Sequence, residues 1–356
     1  MIYFLVTTRN SFPIRNFLRS RGKIFADRIR IIPWEQIGQL RDLRAGSFIF
    51  SDIDFLNGEQ REVAKQIYNQ LYSRYPHLRL LNNPEKVLLR YDLLKRMAAS
   101  GVNSFDVTRA DGPLGYLRYP VFIREADRHT GPLTTLLYST DEIKHELRKL
   151  NLLGYRTNQL LIIEYLDVAD DNGIYSKYSA FVLGDRVMPR YLNFSRSWKV
   201  KSMVDANDDL MRSRRAEVET YMQTNPHEAW LKTIFAQAGI TYGRADYALV
   251  NGKLQLWEIN LNPAFVRPPR KITKDHQQQR MMRDSFYNRF LDALEKVDVN
   301  EPEKIQLTIS QAEEKLMQVS FKEKWKEGFH NRLVKDKPHY RLMRKVCFGV
   351  ASWLTR

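Results

Sequence analysis

One short segment, residues 239–265, constrains the fold of this chain more than any other. It holds two runs with strand character, 246–250 and 253–259, separated by Asn251-Gly252. Asn-Gly between two such runs is the strongest short-range signal for a two-residue β-hairpin, because both residues tolerate the left-handed backbone that the turn needs. The sequence therefore predicts an antiparallel pair of strands here.

Polar residues end the second strand at intervals of two. Glu258, Asn260 and Asn262 point the same way if the extended geometry continues, because side chains alternate along a strand. Closing the hairpin places Asp246 roughly opposite Glu258 or its neighbour Trp257. Two carboxylates and an amide oxygen then converge, and this set suits a hard cation such as Mg²⁺. The open alternative is an ordinary hairpin whose polar residues face solvent.

These residues resemble the metal-binding end of the ATP-grasp superfamily, which includes glutathione synthetase and D-alanine–D-alanine ligase. There, an Asp on one strand and a Glu-x-Asn on the next hold magnesium ions on ATP. Asp246, Glu258 and Asn260 match this pattern, and Pro263 stands where these families often carry a proline. The resemblance implies that the three residues bind Mg²⁺, or Mn²⁺ in its place, together with ATP.

The first 85 residues alternate short apolar runs with segments of helical spacing. The runs lie at 2–6, 29–32, 47–50 and 78–81, and the helical segments lie at 12–21 and 58–75. This alternation predicts an α/β fold with a small, mostly parallel open sheet covered by helices. ATP-grasp enzymes usually begin with such a domain. The predicted boundaries are 1–85 for this N-terminal α/β domain, 86–160 and 161–296 for the two ATP-grasp subdomains, and 297–356 for a basic helical extension.

Two arginines and one histidine are candidates for phosphate binding. The segment 82–107 predicts a helix that starts at Asn83-Pro84 and ends near residue 101. The resemblance places Arg90 where many relatives carry a phosphate-contacting lysine; the alternative is an exposed helix residue. Arg124 follows a predicted strand and stands in for a second lysine. His129 lies in the loop that follows, where it either reaches a phosphate or is an ordinary loop residue.

A buried strand at 160–167 ends in acidic residues. In ATP-grasp proteins such a strand reads the adenine edge, and Glu164 and Tyr165 match that place. Asp167, Asp170 and Asp171 are all candidates for a ribose-binding acid.

Basic residues follow the next predicted hairpin, 178–191. Relatives use such residues to bind the transferred phosphate or an acyl phosphate, which makes Arg190 and Arg196 candidates; a solvated basic face is the alternative. Arg244 lies two residues before Asp246 on the same strand face and is a better candidate for binding a substrate anion. Arg267 and Arg270 are further candidates.

The net charge of +16 favours anionic partners. An acidic small molecule or peptide fits the resemblance, whereas nucleic acid is disfavoured because no recognised nucleic-acid motif accompanies the charge. A single cysteine, Cys347, excludes an intrachain disulfide, and the N-terminus lacks the features of a signal peptide, so we expect a cytoplasmic protein. Residues 321–356 are basic and are expected either to contact a membrane surface or partner or to dock on the body.

The resemblance implies an ATP- and Mg²⁺-dependent ligase. In that reaction class a carboxylate is activated as an acyl phosphate and an amine then displaces the phosphate. Two alternatives stay open at this point, an ATP-grasp kinase that phosphorylates a small molecule or carbohydrate, and a nucleotide-binding regulatory protein without turnover. The sequence specifies neither the substrates nor the oligomeric state.

Overall fold

Strands and helices alternate along the part of the chain that the computed structural model describes, residues 1–129, 131–200, 208–264, 277–299, 301, 303–318 and 346. The strands are β1 (Ile2–Val6), β2 (Ile29–Pro33), β3 (Asp42–Arg44), β4 (Ser47–Phe50), β5 (Leu80–Leu81), β6 (Val107–Arg109), β7 (Val121–Glu125), β8 (Leu160–Glu164), β9 (Tyr175–Leu183), β10 (Arg186–Ser195), β11 (Tyr242–Val250), β12 (Lys253–Asn260) and β13 (Lys304–Gln306). The helices are α1 (Phe12–Leu18), α2 (Gly58–Arg74), α3 (Arg90–Ala99), α4 (Thr140–Leu152), α5 (Asp208–Ser213), α6 (Arg215–Thr224), α7 (Glu228–Ala238), α8 (Gln277–Val297) and α9 (Gln311–Met317). The α/β class predicted from the sequence is confirmed.

The chain divides into two compact units. The first consists of Met1–Leu89 and Val168–Met317, and the second is built on Arg90–Asp167. The predicted N-terminal domain and most of the predicted segment 161–296 thus fall within one unit.

The N-terminal sheet of the first unit is parallel, as predicted. Its strand order is β2-β1-β4-β5, and every pair in it is parallel. All five residues of β1 are buried, which is typical of a parallel strand covered on both faces. Helix α2 begins at a capping box in which Asn57 and Gln60 satisfy each other's backbone N–H groups.

The larger sheet of the first unit is antiparallel, with the order β10-β9-β11-β12. One face carries an aromatic cluster in which the rings of Tyr178 and Tyr247 stack at 5.4 Å and the ring of Tyr221 meets Tyr178 edge-on at 5.1 Å. The hydroxyl of Tyr221 donates to the carbonyl of Ser179 and so ties α6 to β9. The opposite face carries a polar cluster around Asp246, which is described below.

Asn82 joins the two sheets of the first unit. Its side-chain Nδ2 donates to the carbonyl oxygens of Phe50 at 3.1 Å and Tyr242 at 2.8 Å. Its Oδ1 accepts from the backbone N–H groups of Thr241 and Tyr242, both at 2.9 Å. The residue is buried and has a positive φ of 62°, a conformation that asparagine tolerates better than most residues. One side chain thus satisfies backbone groups of both sheets.

The second unit contains a three-stranded antiparallel sheet in the order β6-β8-β7. Its core includes Val121, Ile123, Ile143, Leu160 and Ile162, all fully buried. Ser139 caps α4 by accepting from the backbone N–H of residue 142.

The predicted start of the helix in segment 82–107 is wrong. Helix α3 begins at Arg90, and residues 83–87 form a turn instead. The backbone N–H of Leu88 donates to the carbonyl of Ala238 at the end of α7. This contact with a distant part of the chain holds the segment in its non-helical path, which local propensity does not anticipate.

The segment after residue 297 returns to the N-terminal part. Strand β13 pairs with β3 in an antiparallel ladder, so the described beginning of the predicted helical extension contains a strand as well as α9. Among the described helices, none has both the length and the apolar character needed to cross a membrane.

Candidate functional site

A polar cluster surrounds Asp246 on one face of the antiparallel sheet. Asp246 pairs with Glu258 of β12 and with Ser179 of β9, and Arg244 pairs with Asn260. Directly paired residues on antiparallel strands project to the same face. The predicted convergence of Asp246 with Glu258 is therefore confirmed at the level of strand register.

A β-bulge creates this arrangement. Asn251 and Gly252 form the predicted turn, with positive φ values of 50° and 76°. From that turn a regular hairpin would pair Asp246 with Trp257, which would put Glu258 on the opposite face. The register shifts between residues 246 and 247, where Trp257 is the extra residue, and Glu258 moves to the face of Asp246.

The carboxylate of Asp246 is buried and surrounded by hydrogen-bond donors. Oδ1 accepts from Arg244 Nε and from Ser179 Oγ, both at 2.9 Å. Oδ2 accepts from Lys177 Nζ at 3.2 Å and from Arg244 Nη2 at 3.3 Å. The hydroxyl of Tyr191 lies 3.5 Å from Oδ1. The two cations are themselves largely buried, each with a side chain 13% exposed.

Electrostatics keep this cluster ionised. Burial alone would raise the pKa of Asp246, but Arg244 and Lys177 outweigh it and hold that pKa below its usual value. Burial likewise opposes the charge of Lys177, and the attraction of Asp246 raises the pKa of Lys177 above its usual value. The same balance between burial and Asp246 raises the pKa of Arg244. All three groups therefore stay charged near neutral pH.

The carboxylate and amide oxygens on this face are of the chemical type that hard cations such as Mg²⁺ bind. Glu258 is half-buried and Asn260 is buried. Asn260 Oδ1 accepts one hydrogen bond, from the backbone N–H of Asn262 at 2.9 Å, which leaves its second lone pair for a ligand. Binding a metal at Asp246 would require it to exchange a bonded cation. In the described part of the chain, no cluster of three or more His, Cys, Asp or Glu side chains could hold a metal. The role of the three residues in binding Mg²⁺ stays a prediction.

Strands β9 and β10 add polar residues to the same face. Lys177 pairs with Asn193, and Ser179 pairs with Tyr191. Asn193 is 2% exposed, and among the described residues no donor reaches its Oδ1. The sequence interpretation missed Ser179, Tyr191 and Asn193 as site residues. Polar residues at intervals of two on both strands of this predicted hairpin were the available signal.

Arg190 and Arg196, the other basic candidates of the first unit, lie in different surroundings. The guanidinium of Arg190 lies 4.5 Å from the ring centroid of Phe286 and 5.9 Å from that of Tyr287. It is held there by cation–π attraction to α8. Arg196 is exposed and lies one residue beyond β10. Their roles in binding phosphate or substrate stay predictions.

Arg90, in the second unit, holds a loop. Its Nη1 donates to the carbonyl oxygens of Glu125 at 3.1 Å, Ala126 at 2.5 Å and Arg128 at 3.0 Å. Its Nη2 lies 3.0 Å from His129 Nδ1, which must accept because a guanidinium can only donate. Arg90 is 8% exposed, so its alternative interpretation as an exposed helix residue is wrong.

Arg124 and Glu164 are both buried in the second unit. Arg124 lies on β7, paired with Leu161. The carboxylate of Glu164 accepts from the backbone N–H groups of Asp106 at 2.9 Å and Arg118 at 2.8 Å. It also accepts from the guanidinium of Arg118, at 2.6 Å from Nη2. These contacts tie residues 106 and 118 to the end of β8.

Tyr165 is half-buried, and its backbone N–H donates to the carbonyl of Pro120 at 2.8 Å. Of the candidate ribose-binding acids, Asp170 forms an ion pair with Arg214, and Asp167 and Asp171 are exposed. The nucleotide roles of Tyr165 and of these acids, like those of Arg90, Arg124, His129 and Glu164, stay predictions.

A separate cleft of about 520 Å³ opens in the second unit. It is lined by Lys95, Ala98, Ala99, Asn103, Ser104, Phe105, Asp106 and Arg118. Lys95 pairs with Asp106, and Arg118 pairs with Glu164, so both cations that line the cleft already have anionic partners. Arg267, Arg270 and nearly all of the segment 321–356, predicted to contact a membrane surface or partner or to dock on the body, lie outside the described residues.

No family of known proteins and no curated protein matches the sequence. Among solved structures, the chain is similar to D-alanine–D-alanine ligase from Bacillus anthracis complexed with ATP, with 11% identity and a TM-score of 0.48 over 83% of this chain and 96% of that one. It is also similar to a RimK domain ATP-grasp protein from Sphaerobacter thermophilus (9% identity, TM-score 0.43, 82% and 98% covered). L-amino acid ligase from Bacillus licheniformis is a further match (10%, 0.38, 82% and 73%). All three TM-scores lie below 0.5.

Proposed function

We propose that this protein binds ATP together with a divalent cation and is an ATP-dependent ligase of the ATP-grasp type. The single observation that carries the proposal is the β-bulge at Trp257, which places Glu258 and Asn260 on the face of Asp246 and Arg244. An oxygen set beside buried cations suits a polyphosphate bound with Mg²⁺. The sequence resemblance to carboxylate–amine ligases is the reason for proposing a ligase reaction in particular.

In the proposed reaction the residues of the polar face bind and orient the reactants. A substrate carboxylate attacks the γ-phosphorus of ATP and ADP leaves, which forms an acyl phosphate. An amine then attacks the acyl carbon, and inorganic phosphate leaves. Mg²⁺, when bound through the oxygen set, supplies positive charge to the phosphate oxygens. Arg244 and Lys177 are fixed cations on the same face and neutralise anionic oxygens without moving far.

Within the second unit, we propose that Arg124 contacts phosphate oxygens and that Arg90 supports the loop 125–129 on which His129 lies. Tyr165 is proposed to contact the adenine ring, since it follows β8 directly. The carboxylate of Glu164 serves the fold through its bonds to residues 106 and 118, so any contact it makes with the base would come from its backbone.

The test is thermal unfolding of the full chain with ATP, with Mg²⁺, and with both. ATP at about 100 times its Kd stabilises a native protein by roughly 2.7 kcal/mol, which is a shift of a few degrees. We expect a shift that needs both components and that shrinks in Glu258→Gln. Glu59→Gln is the matched control, because Glu59 is exposed at the start of α2. The absence of any shift in the wild type would reject the proposal.

One observation favours a second candidate, a nucleotide-binding protein without turnover. Both oxygens of Asp246 are bonded to cations of the chain, so a metal could bind there only if one of these cations left. Phosphate release separates the two candidates. Release that requires both a carboxylate and an amine supports a ligase, whereas nucleotide binding with no release under any pair of acids and amines supports the binding protein.

A further inference from the structure

The outer face of helix α1 carries cations that have no anionic partner in the described part of the chain. Phe12, Arg15 and Arg19 are spaced by three and four residues, so they share one face of the helix, and all three are exposed. Lys23, in the loop after the helix, is exposed as well. Among the described residues, no acidic side chain or other acceptor pairs with the side chain of Arg15, Arg19 or Lys23.

An apolar side chain follows these cations. Ile24 is 69% exposed, the highest value among the large apolar side chains of the described residues. The residues on either side of the pair Lys23-Ile24, Gly22 and Phe25, are buried. The loop therefore turns Ile24 outward while Phe25 enters the core. We call Phe12, Arg15, Arg19, Lys23 and Ile24 together the α1 surface.

The loop that presents Ile24 is held by its own contacts. The backbone N–H of Gly22 donates to the carbonyl of Phe17, and that of Phe25 donates to the carbonyl of Gly22, both at 2.9 Å. A Cβ at Gly22 would lie 2.2 Å from the ring of Phe17, so the two residues are closely packed. Arg21 pairs with Asp284 of α8 at 2.6 Å. A partner can thus contact the loop without having to order it first.

The charge of the α1 surface is not cancelled by the helix packed beside it. Residues 12–25 contain four Lys or Arg and no Asp or Glu. On α8, Asp284 is paired with Arg21, and Glu295 is paired with Arg28. The surface therefore attracts an anionic partner.

The exposed apolar residues favour a lipid surface over other anionic partners. Phe12 is 49% exposed and Ile24 is 69% exposed, and the unpaired cations lie between them in sequence. An anionic membrane offers headgroups to the cations and, directly beneath them, a place where apolar side chains leave water. The phosphate backbone of a nucleic acid pairs with cations but buries no apolar side chain of this kind.

We propose that the α1 surface binds the surface of an anionic membrane. Its cations contact the lipid headgroups, and Ile24 enters the boundary between headgroups and acyl chains. The inference is independent of the proposed reaction, because none of these residues belongs to the candidate site.

The first experiment measures the sedimentation of the full chain with vesicles of phosphatidylcholine and phosphatidylserine, and with vesicles of phosphatidylcholine alone. Wild type should bind the former and not the latter. Each cation near the lipid contributes about fivefold to binding, so replacing all three should weaken it by about two powers of ten. The variant carries Arg15→Gln, Arg19→Gln and Lys23→Gln.

The matched control removes the same charge from elsewhere in the first unit. It carries Arg74→Gln, Lys86→Gln and Lys304→Gln, three exposed residues outside the α1 surface. Binding should stay nearly unchanged, because attraction to the lipid falls off within a Debye length. Every variant keeps the basic segment 321–356, so any contribution from that segment is the same in each. Equal binding by wild type and the α1 variant would overturn the proposal.

The second experiment tests Ile24 and the kind of partner. Ile24→Ser should weaken vesicle binding about tenfold, because an apolar side chain no longer leaves water, and Ile24→Leu should keep it. Binding to duplex DNA is measured at the same salt concentration. Equal vesicle binding by wild type and Ile24→Ser would overturn the proposal. Tighter binding to DNA than to vesicles, lost in the α1 variant and kept in Ile24→Ser, would also overturn it and identify nucleic acid as the partner.

Discussion

Arg90 provides the sharpest test of the second unit, because its guanidinium serves either the fold or a ligand. In the structure it donates to the carbonyl oxygens of Glu125, Ala126 and Arg128 and contacts His129. Replacing Arg90 with Met keeps much of the aliphatic stem and removes every donor. If the contacts observed here are its main role, the variant should lose stability in the second unit.

The magnitude follows from the contacts. Nη1 carries two hydrogens, so the three carbonyl oxygens share two hydrogen bonds, and the contact with His129 adds a third. A hydrogen bond to a charged group is worth about 1.5 to 3 kcal/mol net. Loop residues 125 and 127–129 are half-buried, so water replaces part of what is lost. We expect Arg90→Met to lower the free energy of unfolding by about 3 kcal/mol, in the upper range for a point mutation.

Hydrogen exchange of the full chain is the suitable assay, because it reports the opening of each segment separately. Exchange of peptides covering residues 121–129 should accelerate by about two powers of ten, the ratio that corresponds to a loss of about 3 kcal/mol. Arg96→Met is the matched control, since Arg96 is exposed on the same helix α3. The affinity of each variant for ATP is measured in parallel.

The opposite pattern would refute the structural role. A guanidinium held mainly for a ligand is a buried charge whose removal stabilises the free protein. Exchange unchanged or slower in Arg90→Met, together with a large loss of ATP affinity, would show that Arg90 is a phosphate ligand and that its carbonyl contacts contribute little. Arg90→Lys adds a further distinction, because one ammonium keeps the charge but cannot reach all the acceptors.

Two other predictions concern the first unit. Asn82→Ala should lower the free energy of unfolding, measured by urea titration, by about 3 to 4 kcal/mol. The reason is that the Asn82 side chain makes four hydrogen bonds to backbone groups of Phe50, Thr241 and Tyr242. A loss below about 1 kcal/mol would show that these bonds between the two sheets contribute little to stability. Burial, with a smaller contribution from Asp54, raises the pKa of Asp52 to about 6, above the value near 4 of an unfolded chain. The folded state therefore binds this proton more tightly, and stability from Asp52 is greatest below about pH 4 and falls by up to about 3 kcal/mol as the pH rises through 6. The difference between wild type and Asp52→Asn, measured by urea unfolding from pH 4 to 8, should follow that curve, and a flat difference would contradict it.

Local patterns predicted the strands and turns well. Asn251-Gly252 forms the predicted turn because its signal needs only two residues and their backbone preferences. Strand β1 spans the predicted run 2–6 because its apolar residues are continuous. The sheet that contains it is parallel, as the alternation of strand and helix indicated.

Features that depend on the exact pairing of strands or on distant partners could not be predicted. Trp257 is a bulge residue only because β11 and β12 shift register next to it, and that shift decides which face Glu258 occupies. Counting residues from the turn places Trp257 opposite Asp246. The sequence alone therefore did not decide whether Trp257 or Glu258 pairs with Asp246. The start of α3 was missed for a similar reason, since Leu88 is bonded to Ala238, far along the chain.

The role of Asp246 in the candidate site could not be predicted for a similar reason. A motif of the form Asp, Glu-x-Asn predicts which oxygen atoms two adjacent strands bring together once the register of the strands is known. Whether those oxygens bind a metal depends on what else reaches them, and here the donors come from β9 and β10 as well as β11. Lys177 is 69 residues from Asp246 in sequence and 3.2 Å from it in space. In such a cluster the carboxylate motif alone cannot distinguish a metal ligand from the anchor of a cation pair, because the two differ only in which charge the neighbouring strand supplies.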